Sequence, residues 1–218
     1  MRLNNKNKTH FILYCVRLSL RWLRRSHSRS TIKMKKLFFH FVLSSLNRNF
    51  AIQMIERRMK KLDLHLHVLV KQEEELTPEE VKLLDEARRA TYRSYAPYSH
   101  FSVGAAVALA DGTIVSGSNQ ENAAYPSGLC AERTAVFYAN SQYPDQPIRR
   151  ICIVARDSEG LFLQRPISPC GACRQVLLEA EQRAGSDIEV LLYGTEGIYI
   201  VRNIKDLLPL GFDESFLL

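Results

Sequence analysis

The sequence has no long apolar run, and its cysteines are few and odd in number. The apolar stretches at residues 11–15 and 37–42 are short and interrupted by charged or polar residues, whereas a membrane-spanning helix needs about 20 apolar residues. Five cysteines without a recognisable secretory signal argue against a disulfide framework and for a reducing compartment, so we expect a cytoplasmic protein. Metal binding or thiol chemistry then explains the cysteines better.

Acidic residues are almost absent from the first third of the chain. Residues 1–71 hold 17 Lys and Arg against two Asp and Glu, whereas residues 72–218 hold 13 against 21. The net charge of +7 therefore comes from the N-terminal part, and the remainder is acidic. Because non-specific binding to nucleic acid depends on clustered positive charge, the acidic remainder does not favour such a partner.

Residues 1–58 combine Arg, Ser, Asn and Lys with scattered aromatic residues, and three interpretations stay open. They are an organellar transit peptide, an amphipathic basic arm that contacts acidic surfaces, or residues upstream of a true start at Met59. We expect this basic N-terminal extension to be disordered or not translated. A lead-in over residues 59–74 and a folded domain over residues 75–218 follow it.

From residue 75 onward, the patterns predict helices and strands in alternation. Thr77 as N-cap, Pro78 at the first helical position and Glu80 closing a capping box predict a helix to about Tyr92. Strands are predicted over residues 103–109, 113–118, 150–155, 188–193 and 197–201, the first two joined by an Asp-Gly turn. Further helices are predicted over residues 129–140, 170–183 and 204–208. This order predicts an α/β fold in which helices pack on the faces of a mixed sheet.

Two short motifs hold three of the cysteines. Cys130 lies at the start of one predicted helix, and Cys170 and Cys173 lie three residues apart at the start of another. Two helix starts can bring three thiols to one ion, and the helix dipole favours the thiolate form. No fourth ligand stands beside the motifs, so we expect a catalytic zinc site with an open coordination position.

Glu132 and two arginines complete the expected site. Glu132 lies two residues from Cys130, near enough to act as a general acid and base on a zinc-bound water. Arg133 and Arg174 each follow a ligand, and we expect them to donate to sulfur and offset the charge of three thiolates. Cys152 lies in an apolar run and is interpreted as a small buried hydrophobe. As a fourth ligand it would make the zinc site closed and structural.

Residues from about 75 to 212 resemble the homotetrameric zinc-dependent cytidine deaminase family. The resemblance rests on FSVGAA (101–106), NQENAAYPSGLCAERTA (119–135) and SPCGACRQ (168–175), in that order. It implies a three-layer α/β/α sandwich with a mixed five-stranded sheet, and one zinc ion per subunit. It also implies hydrolysis of free cytidine and deoxycytidine to uridine and deoxyuridine plus ammonia, as in pyrimidine salvage. A zinc-activated water attacks C4 of cytosine in such enzymes, and Glu132 would be the proton shuttle.

The resemblance also assigns residues to the substrate. Asn119 and Glu121 would hold the 3′-hydroxyl of the sugar, since an amide and a carboxylate satisfy a hydroxyl as donor and acceptor. A polymer with phosphate at that position would be excluded. Backbone groups near Ala131 and Ser168 would bind the edge of the base, and Phe101 would pack against the pyrimidine.

Two aromatic residues, Tyr125 and Phe212, resemble those that this family lends to a neighbouring subunit's site. The resemblance therefore implies a homotetramer in which active sites are shared across subunits. The C-terminal match is loose, so Phe216 is an alternative to Phe212 for the residue that crosses to the neighbour.

Three other functions are compatible with parts of the sequence. A deaminase for a nucleoside antibiotic of the blasticidin type shares the zinc core but should lack Asn119 or Glu121. An RNA- or DNA-editing enzyme would use residues 1–58 as a binding arm, but no basic and aromatic pattern surrounds the motifs. A non-enzymatic zinc module requires a fourth protein ligand. We therefore expect a free nucleoside as the substrate, and neither nucleic acid nor a membrane as a partner.

Overall fold

The computed structural model describes residues 61–217. The predicted extension over residues 1–58 lies outside the described residues. Within the described part of the chain, no helix is both long and apolar enough to cross a membrane.

Six strands and four α-helices follow one another along the described residues. The strands are β1 (Val68–Lys71), β2 (Ser102–Leu109), β3 (Ile114–Ser118), β4 (Ile148–Arg156), β5 (Glu189–Gly194) and β6 (Gly197–Val201). The helices are α1 (Pro78–Thr91), α2 (Ala131–Gln142), α3 (Gly171–Ala184) and α4 (Ile204–Leu207). Each strand and helix that the sequence predicted is present, with its ends shifted by a few residues at most.

The strands form one mixed sheet in the order β1-β6-β5-β4-β2-β3. Strands β4 and β5 are parallel and all other neighbours are antiparallel. The sheet has one strand more than the five predicted. The additional strand β1 lies within the expected lead-in segment and pairs with the edge strand β6. Its side chains are mostly exposed. Apolar residues alternate along the sequence from Leu62 to Val70, but the five predicted strands do not include this segment.

Helices cover both faces of the sheet and confirm the predicted three-layer sandwich. Strand β4 shows the two faces: Ile151 and Ile153 pack with α2 and α3, whereas Cys152 and Val154 pack with α1. A strand that is buried on both faces has a continuous apolar sequence, as β4 does.

Close backbone contact fixes α2, the helix that carries part of the site. A Cβ atom added to Gly117 of β3 would lie 2.5 Å from the backbone nitrogen of Ala135 in α2. Only glycine permits such an approach. The start of α2 is therefore positioned by direct contact with the sheet.

Candidate metal centre and active site

Three cysteines meet where two helices begin. Cys130 is the residue before α2, Cys170 is the residue before α3, and Cys173 lies in the first turn of α3. Their sulfur atoms all lie within 4.8 Å of one another. The distance is 3.8 Å from Cys130 to Cys170 and 3.5 Å from Cys170 to Cys173. Tetrahedral zinc with Zn–S bonds of about 2.3 Å places its sulfurs roughly 3.8 Å apart, so these residues fit a zinc ion.

The cluster has three potential ligands, and among the described residues no fourth His, Cys, Asp or Glu side chain joins it. The remaining described cysteine, Cys152, is fully buried in the core beside α1. Burial raises the pKa of the Cys152 thiol to about 12. Cys152 is therefore a core residue, as the sequence indicated, and the ligand set is the open kind that catalytic zinc uses.

The surroundings of Cys130 favour its thiolate. A hydrogen bond with Cys173 and a contact with the guanidinium of Arg133 lower the pKa of Cys130 to about 5, against the opposing effect of burial. The same hydrogen bond raises the pKa of Cys173, so the Cys173 thiol holds its proton more tightly. Binding of a metal ion releases such protons.

The two arginines make different contacts. The Arg133 Nη2 atom lies 3.8 Å from the Cys130 sulfur, as expected. Arg174 instead donates to the Pro169 carbonyl at 2.8 Å, the Leu207 carbonyl at 3.1 Å and the Ser168 hydroxyl at 3.0 Å. Arg174 therefore holds the loop that leads into Cys170. The prediction that it donates to sulfur is wrong, because all three acceptors are oxygen atoms.

Glu132 occupies the second position of α2 and is 5% exposed. Burial raises the pKa of its carboxyl group, and the nearby Cys130 thiolate acts in the same direction. A carboxyl group with a raised pKa gives up and takes up a proton more readily near neutral pH. The position and environment of Glu132 suit a group that transfers protons.

A cavity of about 630 Å³ opens beside this cluster, within the size range of small-molecule sites. The predicted site residues that line it are Phe101, Asn119, Glu121, Tyr125, Cys130, Glu132, Arg133 and Cys170, together with Ser168. Other residues that line the cavity were not among the predicted site residues; they include Ser99, Val103, Gln120, Asn122, Leu129 and Ile167. Ala131 and Cys173 are buried and are not lining residues, and neither are Arg174 and Phe212.

Asn119 and Glu121 contribute complementary groups to this cavity. The Asn119 Oδ1 atom accepts from Ser94 Oγ at 2.6 Å and from the Val103 N–H at 2.8 Å. Its Nδ2 atom donates to the Phe101 carbonyl at 2.9 Å, which leaves one N–H for a ligand. A hydrogen bond from the Ser99 hydroxyl lowers the pKa of Glu121. The cavity therefore offers a ligand both an ionised acceptor, the Glu121 carboxylate, and a free donor, the second N–H of Asn119.

The aromatic residues expected to cross between subunits are exposed. Tyr125 lies in a short 3-10 helix and is 76% exposed. Phe212 is 56% exposed and stacks on Phe216 with ring centroids 5.6 Å apart. The side chain of Gln175 holds the backbone of Phe212, because its Nε2 atom donates to the Phe212 carbonyl at 2.7 Å.

Three thiols at paired helix starts, with a buried carboxylate that is not a ligand, define the class of zinc-dependent deaminases. A sequence model of the cytidine and deoxycytidylate deaminase zinc-binding region matches residues 78–185. The chain belongs to the cytidine deaminase family, whose members are hydrolases, and zinc is its cofactor.

The similarity to individual members spans nearly their whole length. The chain is 41% identical over 134 residues to a cytidine deaminase of Sporosarcina psychrophila. The matched residues are 62% of this chain and 91% of that protein. It is 40% identical over 130 residues to one of Halalkalibacterium halodurans, with 60% and 91% covered. The crystal structure of cytidine deaminase from Burkholderia pseudomallei is similar with a TM-score of 0.53 and 38% identity. That match covers 63% of this chain and 100% of the Burkholderia pseudomallei chain.

Proposed function

We propose that this protein hydrolyses free cytidine and deoxycytidine to uridine and deoxyuridine with release of ammonia. The observation that carries the proposal is the buried carboxyl group of Glu132 beside three zinc-binding thiols. The same cavity also contains a hydroxyl-binding pair, Asn119 and Glu121. The reaction would serve pyrimidine salvage in the cytoplasm.

Glu132 is the proton shuttle in the proposed mechanism. Zinc, when held by Cys130, Cys170 and Cys173, supplies a Lewis acid that lowers the pKa of a coordinated water. Glu132 would accept one proton from the attacking water and deliver it to N3 of the cytosine ring. It would then accept the remaining proton of the same water, now the hydroxyl group on C4, and deliver it to the departing amine as the C4–N bond breaks. Its burial supports this role, because a raised pKa lets one carboxyl group act as base and then as acid.

The base and the sugar are bound by different residues. Phe101 is half-buried at the cavity wall and would pack against the pyrimidine face, while backbone groups near Ala131 and Ser168 would bind its polar edge. The free Asn119 N–H and the Glu121 carboxylate would bind the 3′-hydroxyl. A phosphate at the 3′ position would meet the negative charge of Glu121, so a nucleic-acid polymer would be rejected.

We further propose a homotetramer with shared active sites. The support is the exposure of Tyr125 and Phe212, two aromatic residues for which burial by a neighbouring subunit would be favourable. Phe212 is the proposed residue that enters the neighbouring site, and Phe216, which stacks on it, is the alternative.

Ultraviolet absorbance tests the proposed reaction. The purified protein would be incubated with cytidine, deoxycytidine and a short single-stranded oligonucleotide, and the zinc content of the same samples would be measured. Both nucleosides should lose cytosine absorbance while the oligonucleotide does not. Glu132→Gln should lower kcat by roughly 10²- to 10⁴-fold and retain zinc. Glu179→Gln, at an exposed position of α3, is the matched control and should behave as wild type.

Other outcomes distinguish the alternatives. Zinc-loaded protein that converts neither nucleoside would contradict the proposal and favour an antibiotic deaminase or a structural zinc module. Conversion of the oligonucleotide would favour an editing enzyme.

A further inference from the structure

We propose that Ser99 is a positioning residue that holds the Glu121 carboxylate in place and ties it to the backbone of Phe101. The inference rests on the proposed nucleoside deaminase function and concerns how the sugar-binding carboxylate is oriented. Ser99 lines the same cavity as both residues.

The Ser99 hydroxyl connects two parts of the site. It donates a hydrogen bond to Glu121 Oε1, and it accepts one from the Phe101 N–H at 3.1 Å. A serine hydroxyl has one hydrogen to donate and lone pairs to accept, so both bonds form at once. The carboxylate and the start of the Phe101 backbone are therefore linked through a single side-chain oxygen.

Backbone groups hold the other oxygen of the same carboxylate. Glu121 Oε2 accepts from the Tyr98 N–H at 2.9 Å and from the Ser99 N–H at 3.3 Å. Together with the Ser99 hydroxyl, the carboxylate accepts three hydrogen bonds. A carboxylate has about four lone-pair sites, so these bonds use only part of its acceptor capacity. One acceptor position is left for a ligand hydroxyl, and its direction depends on the bonds that Ser99 makes.

The backbone conformation of the loop around His100 places Ser99 beside Glu121. His100, between Ser99 and Phe101, has φ = 55°, a left-handed conformation that few residues other than glycine adopt. Its N–H donates to the Ala96 carbonyl at 3.0 Å. The Glu121 N–H also donates to the Tyr95 carbonyl at 2.8 Å, so the loop and the Glu121 segment are joined by backbone bonds as well.

Without the serine hydroxyl, the Glu121 side chain would have more conformational freedom, because it is only partly buried. An unrestrained side chain loses that freedom when substrate binds. The effect should appear in substrate binding and should depend on the 3′-hydroxyl, since Glu121 is proposed to bind that group. It should leave the chemistry at the base unchanged.

Steady-state kinetics with two substrates tests the proposal on the full-length zinc-loaded protein. Deoxycytidine and 2′,3′-dideoxycytidine differ only in the 3′-hydroxyl. Ser99→Ala should raise KM for deoxycytidine by roughly 10-fold, the size expected for a hydrogen bond to a charged group. The kcat for deoxycytidine and the KM for dideoxycytidine should each stay within about twofold. Ser99→Thr retains the hydroxyl and should restore the wild-type KM.

Ser158→Ala, at an exposed serine in another loop, is the matched control and should match wild type with both substrates. Equal changes in KM for the two substrates, or a loss of kcat with both, would overturn the role of Ser99 and leave the deaminase function standing. If the wild-type protein converts neither substrate, the proposed function and this inference both fail.

Discussion

Cysteine has two opposite roles in this chain, and the surroundings of each thiol decide which. Cys152 lies in the core, where burial raises its pKa to about 12. Cys130 lies at a helix start, where a hydrogen bond with Cys173 and the charge of Arg133 lower its pKa to about 5. A thiol in apolar surroundings packs as a small hydrophobe, whereas one near positive charge becomes a thiolate and a metal ligand.

Substitutions at the two kinds of cysteine should therefore affect different properties: zinc binding in one case and stability in the other. Cys170→Ala should lose bound zinc because two ligands are too few to hold it. Cys152→Ala should keep one zinc ion per subunit and lower the free energy of unfolding by on the order of 1 kcal/mol, because it leaves a small cavity. Metal analysis and urea unfolding of both variants test this. Zinc loss from Cys152→Ala would contradict the assignment of the ligands.

The clustering of the three cysteines with Glu132 beside them could be predicted because each motif places these residues close together at a helix start. Ser99 could not be selected in this way. Its contact with Glu121 joins residues 22 positions apart and depends on the left-handed conformation at His100. The contacts of Arg174 also depend on the loop before α3, so adjacency to a ligand did not reveal which atoms it holds.

The first turn of α1 contains a buried carboxylate that ties β1 to the helix. Glu80 is 3% exposed and closes the capping box by accepting from the Thr77 N–H at 2.7 Å. It also pairs with Lys71 Nζ at 2.9 Å. Burial acts to raise the pKa of Glu80, but the Thr77 N–H and Lys71 outweigh it, so the pKa lies below its usual 4.5.

A lowered pKa in the folded state means that Glu80 stabilises the protein above the usual carboxyl pKa. This contribution is lost as the pH falls through the folded-state value. Glu80→Gln should therefore lower the free energy of unfolding by about 2 kcal/mol at pH 7 and by a smaller amount at pH 3, because the contribution falls as the carboxylate becomes protonated. Glu79→Gln, an exposed neighbour in the same turn, should be nearly neutral at both pH values. Urea unfolding at the two pH values measures the difference, and an equal loss at both would show that charge is not the cause.

Contact between β3 and α2 gives a second prediction about packing. Gly117→Ala places a Cβ atom 2.5 Å from the Ala135 nitrogen, so α2 must move away from the sheet. The expected cost is about 1–3 kcal/mol, with reduced activity because α2 carries Glu132. Gly171→Ala, where nothing lies within 4 Å of the added atom, should unfold like the wild type. Thermal unfolding and the absorbance assay measure both effects, and wild-type stability in Gly117→Ala would contradict the packing argument.

Elements with an internal sequence pattern could be predicted, whereas their exact ends and their place in the sheet depend on partners. The capping box marks the start of α1, and the structure has that helix at Pro78–Thr91. Helix α2 begins at Ala131, two residues later than predicted, because Leu129 forms an antiparallel bridge with Gln120, and its carbonyl accepts from the Gln120 N–H at 2.9 Å instead of from a helical N–H. Strand β1 is not among the predicted strands although apolar residues alternate from Leu62 to Val70, and its place in the sheet comes from pairing with β6.

At the scale of the whole molecule, the chain exposes aromatic residues that the proposed site requires. Tyr125, Phe212 and Phe216 are 76%, 56% and 69% exposed. Large exposed apolar side chains that lie together mark interaction surfaces. The assembly proposed above would bury them and place Phe212 of one subunit at the site of another.

Mixed oligomers test this sharing of residues. Glu132→Gln should inactivate the site of its own subunit, whereas Phe212→Ala should weaken the neighbouring site and leave the Glu132 of its own subunit intact. When the two variants are co-expressed and assemble at random, about a quarter of the sites should have both a wild-type Glu132 and a wild-type Phe212 from a neighbour. Co-purified oligomers should then recover up to about a quarter of wild-type activity, well above either variant alone. If Phe212 instead acts on the site of its own subunit, every site lacks one of the two residues, and the activity stays at the average of the two variants assayed alone. Repeating the experiment with Phe216→Ala decides which phenylalanine crosses, because only the residue that enters the neighbouring site supports complementation.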